Sequence, residues 1–128
     1  METVIIATPH VYDAEFKQRL AGLGTLTAND DGTVIFEDGR SRVYVLRNDV
    51  VSDEFEPDRL NRITSAIAHP VFYAVDFSDI VSCRTVITAI ADDPDVLVDN
   101  DHGVILPGPE FVKMVRSRDD WDWRQDVP

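Results

Sequence analysis

Cysteine is nearly absent from this chain. It holds one, Cys83, so an internal disulfide is excluded and a reducing cytoplasm is the expected compartment. Long apolar runs are missing as well. No stretch approaches the ~20 residues that a bilayer-spanning helix needs. The opening Met1-Glu2-Thr3-Val4-Ile5-Ile6 carries no basic n-region, so a signal peptide is not expected. Basic residues are in short supply: Lys and Arg number 12 against 24 Asp and Glu, a formal net charge of −12. Phosphate recognition rests on Lys and Arg, so no nucleic-acid ligand is expected. An anionic membrane surface is disfavoured on the same ground. Catalytic motifs are also lacking, the G-x-S-x-G nucleophile elbow among them. The expectation is a protein that is not an enzyme and needs no cofactor.

What is present is a globular composition. Hydrophobic residues make up 44% and charged residues 28%, which rules out a wholly disordered acidic tail. At 128 residues two independent cores would each be marginal, so a single domain over 1–128 is expected. The acid is mostly Asp, 18 against 6 Glu. Asp is a poor helix former and a good cap or turn residue, which places much of the charge in loops and at element ends. The resulting field keeps the protein soluble and speeds its encounter with a basic partner protein.

The hydrophobic pattern gives the elements in turn. Thr3–Thr8 is a buried strand ended by Pro9. Asp13 caps a helix over Ala14–Leu23, with Phe16, Leu20 and Leu23 on one face. Leu26–Ala28, Thr33–Glu37 and Ser41–Arg47 form an antiparallel meander around Asn29-Asp30-Asp31-Gly32 and Asp38-Gly39. Asn48–Glu56 reads as a loop. Pro57 opens a helix with Leu60, Ile63 and Ile67 inward and Arg59 and Arg62 turned away, closed by Pro70. Val71–Val75 is a strand, and Ser78 or Asp79 caps a helix whose face is Ile80, Cys83, Ile87 and Ile90. Val96–Val98 and Val104–Leu106 are short strands, and Gly108-Pro109 opens a last helix before a tail over 119–128. The order βαβββαβαββα predicts an α+β fold: a mostly antiparallel sheet with about four helices packed on it.

Three constellations could carry chemistry. Asp99-Asn100-Asp101-His102-Gly103 offers oxygen and imidazole ligands, so Asp99, Asp101 and His102 are a candidate metal site. Gly at the fifth position departs from the calcium-loop pattern, and a hairpin turn with Gly103 at positive φ accounts for the same residues. Asp76 and Asp79 form a possible carboxylate pair; capping by Asp79 and a connecting turn at Asp76 explain them as well. The tail Asp119-Asp120-Trp121-Asp122-Trp123 sets both tryptophans among acids. In extended chain the indoles point to one side and Asp120 and Asp122 to the other. Such indoles either anchor a partner or dock back on the domain. His10, His69 and His102 are scattered beside turns and prolines, and Cys83 reads as a small buried apolar residue.

The stretch Val96 to Trp123 combines that Asp-rich turn, the Gly108-Pro109-Glu110-Phe111 helix start and the Trp121-Asp122-Trp123 end. Together with small size and strong acidity, it resembles the bacterial toxin-immunity and antitoxin proteins. The resemblance implies a stoichiometric inhibitor that binds a basic toxin domain, such as a nuclease, and covers its active site with carboxylates. The leading expectation is therefore a non-enzymatic binding protein. Asp99, Asp101, Asp120 and Asp122 would contact the basic partner, and Trp121 and Trp123 would be its apolar anchors. The rivals are a metal-binding domain using Asp99, Asp101 and His102, and an adaptor that pairs through an exposed sheet edge.

Overall fold

The computed structural model describes residues 1–124. The expected tail over 119–128 is thus described as far as Arg124, and 125–128 lie outside the described residues. The fold is α+β. The elements run β1 (Glu2–Thr8), α1 (Asp13–Leu20), β2 (Thr25–Ala28), β3 (Val34–Glu37), β4 (Arg42–Arg47), a 3₁₀ turn (Val51–Glu54), α2 (Pro57–Ala66), β5 (Val71–Phe77), α3 (Ile80–Ile90), β6 (Leu97–Asp99), β7 (Ile105–Pro107) and α4 (Gly108–Ser117). The strands form one antiparallel sheet in the order β2-β3-β4-β5-β1-β6-β7.

β1 runs between β5 and β6, and helices cover both of its faces, which explains its continuous apolar run. Its side chains alternate between two cores. Val4 and Ile6 join Val75, Phe77, Phe36 and Val43 under α1, α3 and α4. Ile5 and Ala7 join Phe72, Ala74 and Leu97 under Ile63 of α2 and Ile67 just beyond it. The first face is closed by three helices; the second is covered by α2 and, beside it, by Val51 and Phe55.

Local rules set the element ends. The Asp79 carboxylate accepts the Val81 N–H and caps α3. Its other oxygen takes Arg40 Nε at 2.6 Å, and that guanidinium holds the carboxyl below its ordinary range. Pro57 occupies the first turn of α2 and Pro109 that of α4. Gly108 starts α4 because a Cβ there would collide with the Ala91 carbonyl.

Several expected boundaries are corrected. α1 ends at Leu20 rather than Leu23, because Ala21 and Gly24 pair as a bridge and Gly22 turns the chain at φ +86°. Asp13 is the first helical residue instead of the cap; its carboxylate accepts the Tyr73 hydroxyl, which in turn accepts the Tyr12 N–H. The segment Asn48–Glu56 contains the 3₁₀ turn, and α2 stops at Ala66. β5 continues to Phe77, so Asp76 is a strand residue and does not lie in a turn.

Candidate functional site

The sheet register lays out the second face in rows. Leu46, Ala74, Ile5 and Asp99 stand opposite one another across β4, β5, β1 and β6. In the next row stand Tyr44, Asp76 and Thr3. Where the cover of α2 ends, a cleft of about 380 Å³ opens over these rows. Its floor is Ile5, Leu46 and Ala74, its wall is Val51, Phe55 and Arg59, and its rim carries Asn48, Glu54, Asp76 and Asp101.

Arg59 organises the wall. Its guanidinium lies 4.0 Å over the Phe55 ring, four residues earlier in the chain. Nε donates to Asp99 Oδ2 at 2.6 Å, and Nη2 donates to Asp101 Oδ1 at 2.9 Å. The Asp99 side chain is 4% exposed, that of Arg59 27% and that of Asp101 46%. Burial opposes the Arg59 charge, but the two carboxylates outweigh it and hold the guanidinium above its ordinary range. The sequence pattern turned Arg59 away from the core. That expectation is corrected, because a side chain of this length reaches back along the helix start to a buried acid.

The turn after β6 is built by its own side chains. Asn100 is fully buried: Oδ1 accepts the N–H groups of His102 and Val104, and Nδ2 donates to the Trp123 carbonyl at 2.7 Å. Asp101 sits at φ +63° and Gly103 at φ +94°, a left-handed conformation that Asp tolerates better than most residues. His102 is exposed, with Nε2 3.6 Å from a Glu2 carboxylate oxygen. Asp99 and Asp101 thus face a guanidinium, and His102 faces a different acid. Among the described residues no three His, Cys, Asp or Glu side chains gather as a metal would require.

The structure divides the expected partner-binding residues. Asp99 and Asp101 meet at Arg59, Asp101 on the cleft's rim and Asp99 buried behind the guanidinium. Asp120 is exposed. Asp122 is held by Arg124, whose Nε and Nη2 reach its two oxygens at 2.9 and 2.8 Å, and this pairing lowers its carboxyl below the ordinary range. Trp121 and Trp123 are 1% and 0% exposed, so their placing as surface anchors is corrected. Phe111 stands 5.2 and 5.5 Å from the two indole centroids, and Phe77 stands 5.9 Å from Trp123. The indoles dock back on the domain because burying two large rings against two phenylalanines outweighs exposing them. Arg84 secures the docking by donating to the carbonyls of Val115, Arg118 and Trp121.

The other candidates are placed as follows. Asp76 accepts the Thr3 hydroxyl at 2.6 Å, whereas Asp79 caps α3 and pairs with Arg40, so the two belong to different networks. Cys83 is fully buried, and burial pushes its thiol well above the ordinary range. His10, His69 and His102 are exposed on three separate loops. A larger groove of about 750 Å³ between α1, α3 and α4 contains Arg19, Arg84 and Arg116. These are engaged by the Ile90 carbonyl and Asp93, by the carbonyls at the end of α4, and by Asp92.

Sequence reasoning missed the joint placement of Thr3, Glu54, Arg59 and Asp76. One signal was available: the two-residue period of Phe72, Ala74 and Asp76 carries the strand past Val75 and puts Asp76 on the half-covered face. Comparison with known proteins finds no matching family model, no similar curated protein and no similar solved structure.

Proposed function

We propose that this is a non-enzymatic acidic binding protein that covers the basic surface of a partner protein, as an immunity protein covers its toxin. The observation that carries the reading is the excess of carboxylate at one concave surface. Three carboxylates, from Glu54, Asp76 and Asp101, line the cleft against the single guanidinium of Arg59, a formal balance of −2, and Asp99 lies buried behind that guanidinium. A concave surface of one sign with an apolar floor focuses its field and draws in the opposite charge. Asp101 belongs to this surface, with Asp120 and Asp122 as further contacts.

The reading places the protein in the cytoplasm beside a basic protein, with nucleic acid and membrane surfaces excluded by charge. Among the described residues no helix is long and apolar enough to cross a membrane. The test is capture from native cell lysate at low salt, elution at high salt, and calorimetry on the purified pair. The expected result is one basic protein bound 1:1, with affinity falling as salt rises. No basic protein retained, or affinity independent of salt, would overturn the reading.

A further inference from the structure

The second sheet face is covered by α2 and by Val51 and Phe55, and between these and the strands stands the cleft. We infer that the cleft receives the side chain of an arginine from the partner's surface, an inference that rests on the binding reading above. At about 380 Å³ it falls near the low end of the roughly 300–1,000 Å³ that accommodate small ligands. That suits one long side chain and not a helix or strand of a partner.

The chemistry of the lining selects the occupant. The floor of Ile5, Leu46 and Ala74 is apolar and matches the aliphatic stem of an arginine, which buries its methylenes while its head stays at the polar rim. The rim supplies Asp76 and Glu54. Among the described residues no cation of this chain pairs with either of them, and the only hydrogen bond to the Asp76 carboxylate is the one from the Thr3 hydroxyl to Oδ1. Oδ2 of Asp76 therefore remains for an incoming donor. A guanidinium carries five N–H donors in a planar fork and can serve two separated carboxylates at once, which an ammonium does less well. The same wall already accommodates one guanidinium: Arg59 is held there by an aromatic face and two carboxylates. An incoming arginine would use the acids that Arg59 leaves unpaired.

The full chain, labelled with ¹⁵N, is titrated with N-acetyl-arginine amide, and in parallel with the lysine and norleucine amides. The expected result is saturable shifts centred on the amides of Thr3, Leu46, Ala74 and Asp76, with norleucine amide inert and lysine amide weaker. Asp76→Asn, which keeps an acceptor for the Thr3 hydroxyl and so preserves the fold, weakens binding about fivefold or more; Asp120→Asn leaves it unchanged. Glu54→Gln weakens it about twofold or more. Shifts spread evenly over the acidic loops, lysine amide binding as tightly as arginine amide, or indifference to Asp76→Asn would overturn the inference. Its failure separates from that of the broader reading. If the Asp76→Asn/Glu54→Gln double variant retains a captured basic partner at unchanged affinity, the cleft assignment falls and the binding function stands. If wild type retains no basic protein but saturates with arginine amide, the reverse holds.

Discussion

Replacing Arg59 by alanine strands a buried carboxylate. The Asp99 side chain is 4% exposed and would keep only the Asp101 N–H, 2.9 Å from its Oδ1. Removing one partner of a buried ion pair costs about 3–5 kcal/mol, because the remaining charge is held away from water. The other half of the fork counts for less. The Asp101 side chain is 46% exposed, and an exposed pair contributes about 0.2–1 kcal/mol. The guanidinium over Phe55 adds about 0.5–1 kcal/mol. Arg59→Ala is therefore expected to lose about 4–7 kcal/mol, whereas Asp101→Asn loses less than about 1 kcal/mol. At roughly 4 °C per kcal/mol for a chain of this length, Arg59→Ala lowers Tm by about 16–28 °C. Neutralising the stranded acid recovers much of the loss, so Arg59→Ala/Asp99→Asn is more stable than Arg59→Ala alone. Urea denaturation followed by far-UV circular dichroism measures all four proteins. A loss below about 1 kcal/mol for Arg59→Ala, or a double variant no more stable than the single one, would refute the reasoning.

The remaining expectations concern the packing and the titrating groups. The protein's only two tryptophans are both buried, so native emission lies at short wavelength and moves red on unfolding; Trp123→Ala costs about 3–5 kcal/mol, measured by denaturation. Tyr73→Phe leaves the buried Tyr12 N–H without its acceptor and costs about 1–3 kcal/mol in the same assay. Burial, then the hydrogen bond to Asp13, raises the Tyr73 hydroxyl above its ordinary range. Its stabilisation is therefore complete below pH ~10 and is lost as pH rises through the folded value, and stability-versus-pH curves for Tyr73→Phe lack that part of the alkaline decline. Asp79 and Asp122 behave in the opposite sense. Arg40 and Arg124 hold them below the ordinary range, so their contribution is present above pH ~3.9 and disappears as pH falls through the folded values. Asp122→Asn is expected to flatten that acid limb in a pH series of thermal melts.

The element order was legible because turn residues punctuate it. Asn29-Asp30-Asp31-Gly32 and Asp38-Gly39 separate β2, β3 and β4 without ambiguity, and Pro57 and Pro109 mark two helix starts. The order of strands in the sheet was not legible. β1 lies between β5 and β6, and pairing over such distances leaves no local signature. The cleft was hidden for the same reason, since Thr3 and Asp76 meet only through that pairing. Arg59 was misplaced because helical periodicity describes where a Cβ points and not where a long side chain ends. For the tail, alternation put both indoles on one side. Which side was decided by Phe111 and Phe77, residues distant in sequence.

The central position of β1 also bears on how the chain comes off the ribosome. β1 is synthesised before both of its sheet neighbours and finds them only when β5 and then β6 have emerged. Until then β2, β3 and β4 can pair among themselves and α1 and α2 have emerged, but Val4, Ile5 and Ile6 have no strand partner. An apolar strand held unpaired during synthesis invites association with other chains. β1 precedes both of its neighbours in the chain and is thus among the last strands to be settled, and folding of the sheet's centre waits for the distal part of the chain.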